Sequence, residues 1–209
     1  MEGKPVVILH PVGPLDKEEV NAMLRQARKA FGLEVELGPE IAVPPGCLDG
    51  LRHQVLASRL LAAVPATAEP SPPPISHTTY GGIQKPATPP AAPTTAAPLP
   101  FARVGVIDQD LYLPGNDFVF GLAEPKARRA VVTTRRLKES FYRRKADPAR
   151  QQARAARQFI AFVGAARGLP YCSNPTCVMW EPRTVMEVDR KGDRFCPTCN
   201  NLVRGRIRF

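Results

Sequence analysis

The chain has 209 residues, 44% of them hydrophobic, and a formal net charge of +10 at pH 7. This length suffices for one domain with a packed core, and the absence of any run of about 20 apolar residues excludes a membrane span. The first ten residues lack the basic start and small-residue cleavage site of a signal peptide, so we expect a cytoplasmic protein. The positive charge is compatible with a solvated basic surface or with an acidic partner such as nucleic acid.

The N-terminal part of the sequence alternates strand and helix patterns. Lys4–Leu9 is a short apolar, β-branched run that predicts a buried strand. Asp16–Phe31 has apolar residues at helical spacing after an N-cap aspartate, which predicts a helix. Leu33–Leu37 alternates apolar and polar residues and predicts a strand, whereas Asp49–Ala63 predicts a second helix.

Residues 65–100 have a different composition, dominated by Pro, Ala, Thr and Ser. Such a segment carries too little apolar side-chain surface to offset the entropy lost on ordering. We therefore expect a disordered insertion that separates residues 1–64 from residues 101–209 of a single domain.

Strand and helix patterns resume after the insertion. Arg103–Ile107, Phe118–Leu122 and Ala130–Thr134 are short apolar runs that predict strands. Pro148–Arg167 has the periodicity of a helix, with a proline in its first turn and a glycine after its end. The alternation of strands and helices in both parts of the chain indicates the α/β or α+β class.

Four of the five cysteines form two close pairs, Cys172-x4-Cys177 and Cys196-x2-Cys199, separated by eighteen residues. This spacing suits a tetrahedral four-thiolate zinc site, with two disulfides or free thiols as the alternatives. Because a reducing cytoplasm disfavours disulfides, we predict one structural Zn²⁺ with no open coordination position. Cys47 is expected to be a free, partly buried thiol.

The segments around these cysteines resemble the C-terminal half of archaemetzincins, a family of small zinc-dependent metallopeptidases. The segments that carry the resemblance are Gly168–Cys172, Cys177–Met179, Val188–Gly192 and Phe195–Cys199. Further upstream, Val106–Tyr112 and Phe118–Ala123 are similar to the family's central strands, and Leu51–Gln54 to its N-terminal helix. The resemblance implies a metzincin-like mixed sheet with packed helices, a four-cysteine zinc site and a second, catalytic zinc.

The family holds its catalytic zinc with an H-E-x-x-H-x-x-G-x-x-H motif, in which the glutamate is the general base. When the motif is aligned on Gly168 and Cys172, other residues occupy its histidine and glutamate positions. These residues are Ala161, Phe162, Ala165 and Tyr171. Met179 corresponds to the methionine of the family's turn, with Trp180 after it. Alanine cannot ligate a metal and phenylalanine cannot transfer a proton, so we expect no catalytic zinc.

Three functions are compatible with these observations. The first is a zinc-stabilised pseudopeptidase that binds an unknown peptide or protein. The second is an active metallopeptidase with a displaced catalytic zinc, although the available histidines are far from the helix in sequence: His10, His53 and His77. The third is a nucleic-acid-binding protein that uses the basic run Lys126–Arg157, where Phe141 and Tyr142 could stack on bases. A solvated basic surface is the simpler explanation of that run, and we predict the first function.

Overall fold

The computed structural model describes residues 5–67 and 100–207. Most of the predicted insertion, residues 65–100, therefore lies outside the described residues. At its N-terminal end, Thr67 is buried and its backbone N–H donates to the Ala127 carbonyl at 2.9 Å. The first residues of this segment are thus part of the folded domain.

The described residues form nine strands, which are arranged in two sheets, and five α-helices. The strands are β1 (Val6–Val12), β2 (Glu34–Leu37), β3 (Leu48–Asp49), β4 (Gln54–Leu56), β5 (Ala102–Ile107), β6 (Leu111–Leu113), β7 (Asn116–Val119), β8 (Gly121–Glu124) and β9 (Arg129–Thr133). The helices are α1 (Lys17–Phe31), α2 (Ala57–Ala63), α3 (Pro148–Ala166), α4 (Val185–Arg190) and α5 (Pro197–Ile207). The predicted α/β class is therefore confirmed.

The larger sheet has five strands in the order β2-β1-β5-β9-β8. The first four strands are parallel, and β8 runs antiparallel to β9 at one edge. The central strands β1, β5 and β9 are covered on both faces, which explains their nearly continuous apolar sequences. The strands predicted over Lys4–Leu9 and Arg103–Ile107 are thus confirmed as β1 and β5.

Each face of this sheet has its own core. Helices α1 and α3 lie on one face, where Leu9, Val104 and Val132 belong to the larger cluster of buried side chains. Helix α2 and the four-stranded sheet β3-β4-β6-β7 cover the other face, and there Ile107 and Val131 belong to a second cluster. The alternation of strand side chains between the two faces separates these cores.

The two long helices begin and end at or within one residue of the predicted positions. The Asp16 carboxylate caps α1 by accepting from the Glu19 N–H at 2.8 Å, and Gly32 ends it with a φ of 66°. Asp147 caps α3 in the same way, and Gly168 follows that helix with a φ of 73°. No helix within residues 5–67 or 100–207 is long and apolar enough to cross a bilayer.

The helix predicted over Asp49–Ala63 is wrong in its first half. The Asp49 carboxylate accepts two backbone N–H groups, from Leu51 and Arg52, at 3.0 Å each, which closes a turn. The next residue, His53, has a φ of 54°, and the chain then enters strand β4. The helix begins only at Ala57, so the segment assigned by resemblance to an N-terminal helix is a turn followed by a strand.

The single strand predicted over Phe118–Leu122 is divided between the two sheets. β7 pairs with β6 in the small sheet and ends at Val119, whereas β8 starts at Gly121 and pairs with β9. A Cβ atom on Gly121 would lie 2.3 Å from the Val131 carbonyl oxygen and 2.6 Å from the Phe162 ring. The glycine therefore allows the chain to change sheets directly above α3.

Candidate metal centre and adjoining cleft

The four cysteines predicted to bind zinc converge at one point. Their Sγ atoms all lie within 4.8 Å of one another, and those of Cys172 and Cys196 are 3.8 Å apart. Tetrahedral zinc with Zn–S bonds of about 2.3 Å separates its sulfur ligands by about 3.8 Å. The cluster could therefore hold a metal ion, and the chemistry of four thiolates fits zinc.

Two turns bring these sulfurs together. The first pair lies in the loop after α3, which the Cys172 N–H closes by donating to the Met179 carbonyl at 3.0 Å. The second pair lies at the start of α5, where Cys196 precedes the helix and Cys199 is in its first turn. Cys177 links the two turns, since its Sγ accepts from the backbone N–H groups of Met179 at 3.4 Å and Cys196 at 3.3 Å.

The surroundings of the sulfurs have opposite effects on their protonation. A hydrogen bond from the Cys199 backbone N–H is the main cause that lowers the pKa of Cys196 to about 7. Burial raises the pKa of Cys177 and of Cys199. N–H···S bonds favour the thiolate, the form that binds metals. All five cysteines are free thiols, and Cys47 is 1% exposed in the second core, so it is fully rather than partly buried.

A cleft of about 430 Å³ lies over α3. Its lining comes from α3, from β7 and the crossing to β8, from the residue just before the first cysteine pair and from the segments that follow that pair. The residues involved are Asn116, Phe118, Val119, Phe120, Gly121, Gln158, Ala161, Phe162, Tyr171, Glu181, Pro182, Arg183 and Lys191. Of the four residues at the positions of the family's metal ligands and base, Ala161, Phe162 and Tyr171 thus border this cleft. Ala165 is half-buried and does not line it.

Apolar packing occupies the positions of the first histidine and the glutamate of the family motif, whereas Ala165 is half-buried and Tyr171 is 51% exposed. Ala161 and Phe162 are buried, and the Phe162 ring packs against Gly121. Met179 is fully buried beneath α3, and its Sδ lies 2.7 Å from where a Cβ of Gly164 would be. The helix and the methionine turn therefore pack together without metal-ligating side chains.

The described histidines do not replace the missing ligands. His10 is buried on β1, where its Nδ1–H donates to the Pro39 carbonyl at 2.9 Å. His53 lies in the turn before β4, neither residue lines the cleft, and His77 lies outside the described residues. In the part of the chain that the structure describes, no second group of His, Cys, Asp and Glu side chains converges as the cysteines do.

The structure adds a buried amine that the sequence analysis did not identify. Lys191 is 1% exposed, and its Nζ donates to the Gln158 Oε1 at 3.0 Å. Burial lowers the pKa of Lys191 to about 7. Lys191 belongs to one of the segments that carry the family resemblance, but its partner on α3 is 33 positions away. No local pattern could have joined the two residues.

Much of the basic run Lys126–Arg157 is used within the fold. Six of its cations form ion pairs with Asp or Glu: Arg129, Arg136, Lys138, Arg144, Arg150 and Arg154. The Phe141 and Tyr142 rings contact each other edge-on at 5.0 Å, and the Arg136 guanidinium lies over Phe141. These contacts give the run a structural role, and nucleic-acid binding stays a prediction from composition.

The similarity of this chain to known proteins defines its class. The profile of peptidase family M54 matches residues 99–205, about half of the chain, and the chain belongs to this family of zinc metallopeptidases, the archaemetzincins. The archaemetzincin of Pyrococcus horikoshii is 34% identical over 111 residues, which are 51% of this chain and 59% of that protein. That of Methanocaldococcus jannaschii is 24% identical over 200 residues, 96% of this chain and 93% of that protein.

Solved structures of the same family share the fold over nearly the whole chain. The archaemetzincin of Methanopyrus kandleri superposes with a TM-score of 0.73 at 23% identity, covering 99% of this chain and 97% of that one. The archaemetzincin of Archaeoglobus fulgidus, solved in complex with malonate, gives a TM-score of 0.69 at 25% identity, covering 94% and 98%. The alignments with higher sequence identity cover about three-fifths of the length of the curated relative, for example 60% of the Pyrobaculum aerophilum archaemetzincin.

Proposed function

We propose that the protein is a pseudopeptidase: an archaemetzincin fold stabilised by one structural zinc ion, with a cleft that binds a peptide or protein segment without hydrolysing it. The observation that carries the proposal is the set of side chains at the motif positions. These are Ala161, Phe162, Ala165 and Tyr171, in place of the three histidines and the glutamate.

Peptide hydrolysis by this family's chemistry requires a metal with an open coordination position and a base close to its bound water. Alanine has no ligand atom, and Phe162 can neither accept nor donate a proton. A tyrosine oxygen at position 171 could supply one ligand, which is too few to hold an ion. The residues present therefore do not fit a catalytic zinc.

Several features of the cleft favour ligand binding. The cleft has an aromatic wall of Phe118, Phe120 and Phe162, which offers apolar surface to a side chain. Strand β8 borders the cleft at the edge of the five-stranded sheet, and such an edge can pair with an extended segment. In a reducing compartment the four cysteines would stay as thiols and remain able to hold zinc, so we propose a cytoplasmic location.

Elemental analysis of the purified protein tests this proposal. We expect one zinc per chain, and none after Cys196→Ser or Cys199→Ser. Incubation with a mixture of unmodified and fluorogenic peptides should give no chelator-sensitive cleavage, even with added zinc. Two zinc ions per chain together with chelator-sensitive hydrolysis would instead establish an active peptidase with a displaced catalytic site.

A further inference from the structure

A groove that shares no lining residue with the cleft runs along helix α1. Between α1 and α3 it has a volume of about 240 Å³, and between α1 and residues 193–195 a volume of about 480 Å³. Gln26 and Asp193 line both parts, so the two depressions are continuous. A ligand of this groove would therefore bind independently of the cleft.

The groove has an excess of positive charge. Among the described residues that line it, the cations are Arg25, Lys29, Arg157 and Arg194, and the one carboxylate is Asp193. Arg25 and Lys29 are exposed, form no ion pair within the described residues, and lie one helical turn apart on the same side of α1. Arg194 approaches Asp193 only to 4.0 Å, with side chains 89% and 63% exposed. Such an exposed pair contributes little, so the groove attracts anions.

Arg157 adds a guanidinium whose hydrogen-bonding capacity the fold does not fully use. Its Nη1 donates to the Val188 carbonyl at 3.3 Å, whereas its Nε has no partner among the described residues. The nearby Asp189 carboxylate is bound by Arg154, which donates to its two oxygens at 2.7 and 2.6 Å. Arginine is the side chain best suited to phosphate oxygens, because its donors are fixed in one plane. The groove is therefore suited to a phosphate-bearing ligand.

The neutral part of the lining indicates which phosphate-bearing partner fits. Gln26, Gln152 and Asn200 place amides in the groove, and amides can hydrogen-bond to bases and sugars. None of the large exposed apolar side chains of the described residues lines it, so it offers neither a bilayer-inserting face nor an apolar anchor for a protein. Packed helices such as α1 and α3 have axes about 8–10 Å apart, which leaves a groove wide enough for one strand but not for a duplex.

We propose that this groove binds the phosphate backbone of a single-stranded nucleic acid through Arg25, Lys29, Arg157 and Arg194. Because these contacts go to the backbone, little sequence preference is expected. RNA and DNA share this backbone chemistry, and the experiment separates them. The inference goes beyond the proposed function, and neither one depends on the other.

Fluorescence anisotropy of the full, zinc-loaded chain with labelled oligonucleotides of about twelve nucleotides tests the inference. Oligo-dT and oligo-rU are the single-stranded probes, and a DNA duplex and an oligo-glutamate peptide of the same length represent the alternatives. We expect at least one single strand to bind about tenfold tighter or more than the duplex and the peptide. The logarithm of its binding constant should fall with the logarithm of salt concentration with a slope of about −3, because each of four phosphate contacts contributes about 0.7 to the slope.

The double variant Arg25→Gln/Lys29→Gln removes two of the four contacts and keeps good helix formers on α1. Its zinc content and Tm should equal those of the parent, whereas its salt slope should fall to about −1.4 and its affinity at least about tenfold. Arg143→Gln/Lys145→Gln is the matched control, because both residues are exposed cations of the basic run that do not line the groove. It lowers the net charge equally and should bind like the parent.

Three outcomes would overturn the inference. The first is no binding of either single strand at about 100 μM protein and about 50 mM salt, where even nonspecific nucleic-acid contacts are detectable. The second is equal or tighter binding of the duplex or of the glutamate peptide, which would assign the groove to another partner. The third is an equal loss in both double variants, or a loss in the control alone, which would show that net charge or the basic run is responsible. None of these results concerns hydrolysis or zinc stoichiometry, so the pseudopeptidase proposal is judged separately.

Discussion

Glu19 illustrates how burial changes the chemistry of a single side chain. It lies in the first turn of α1, is 1% exposed, and neither carboxylate oxygen has a hydrogen-bond partner among the described residues. Burial raises its pKa from an ordinary 4.5 to about 7, although the positive charge of Lys138 acts in the opposite direction. The folded protein therefore binds a proton at Glu19 in a pH range where the unfolded chain does not.

This difference predicts how stability depends on pH. Because the folded-state pKa is the higher one, the contribution of Glu19 is fully present below pH 4.5 and is lost as pH rises to about 7. Glu19→Gln removes that loss, so the variant should exceed the parent in unfolding free energy by up to about 3 kcal/mol near pH 8. The difference should shrink as the pH is lowered toward about 5.

Urea unfolding of parent and variant across this pH range measures the effect. Glu18→Gln is a matched control, because Glu18 is the exposed neighbour of Glu19 on the same helical turn. A Glu19→Gln variant whose stability follows the parent in parallel at every pH would show that the buried carboxyl does not titrate as described.

At the scale of elements, α3 is a helix whose packing role does not depend on metal binding. Ala161 and Phe162 are part of the main core, and Gly164 allows the close approach of Met179. Ala161 and Ala165 are one helical turn apart and therefore lie on the same side of α3. Histidines at these two positions would therefore face the same point, as the family motif requires, and this expectation can be tested.

Restoring the motif should create a second metal site. The variant combines Ala161→His, Phe162→Glu, Ala165→His and Tyr171→His, and we expect two zinc ions per chain by elemental analysis. The loss of the buried Phe162 ring should reduce the free energy of unfolding by about 3–5 kcal/mol, the usual cost of removing a core aromatic ring.

A matched variant carries the three histidines but retains Phe162. It should bind the second zinc and hydrolyse no peptide, since it lacks the general base. A folded four-residue variant with one zinc would mean that the alignment with the family motif, or the backbone after Gly168, differs from the family's geometry.

At the scale of the whole molecule, the cysteine cluster is continuous with the main core. Cys177 and Cys199 are buried in the same cluster of side chains as the sheet and α1. Phe195, just before the second pair, packs edge-on against Phe31 at 5.2 Å, and Phe31 in turn contacts Phe101 at 5.9 Å. We therefore expect a structural change at the metal centre to disturb the packing of the main core.

Removal of zinc should destabilise the entire domain, because the energy of metal binding is part of the folding energy. We expect a chelator to lower the Tm of the described domain as a whole, and Cys199→Ser to have the same effect without chelator. Cys47→Ser is the control, since Cys47 belongs to the second core and should leave the zinc content unchanged. An unaltered Tm after complete loss of zinc would contradict a structural role for the metal.

Sequence alone was sufficient for several features whose signal is local. The N-cap of α1, the glycines that follow α1 and α3, the apolar strands of the larger sheet and the spacing of the two cysteine pairs are each contained in a short stretch of chain. Local sterics and hydrogen bonding determine such features, so the pattern survives whatever the chain meets elsewhere. The α/β class and the family resemblance followed from these signals.

Tertiary structure decided the features that depend on distant partners. The segment before α2 enters a strand where the Gln54 amide donates to Asp110, 56 positions away, at 2.8 Å. The chain passes from the small sheet to the larger one at Phe120 because Gly121, which has no Cβ atom, leaves room for the Phe162 ring. The Lys191–Gln158 pair exists only because α3 and the segment after α4 meet at the cleft. Local propensity is weak compared with such packing, and one buried long-range contact is enough to redirect the chain or to alter the charge of a side chain.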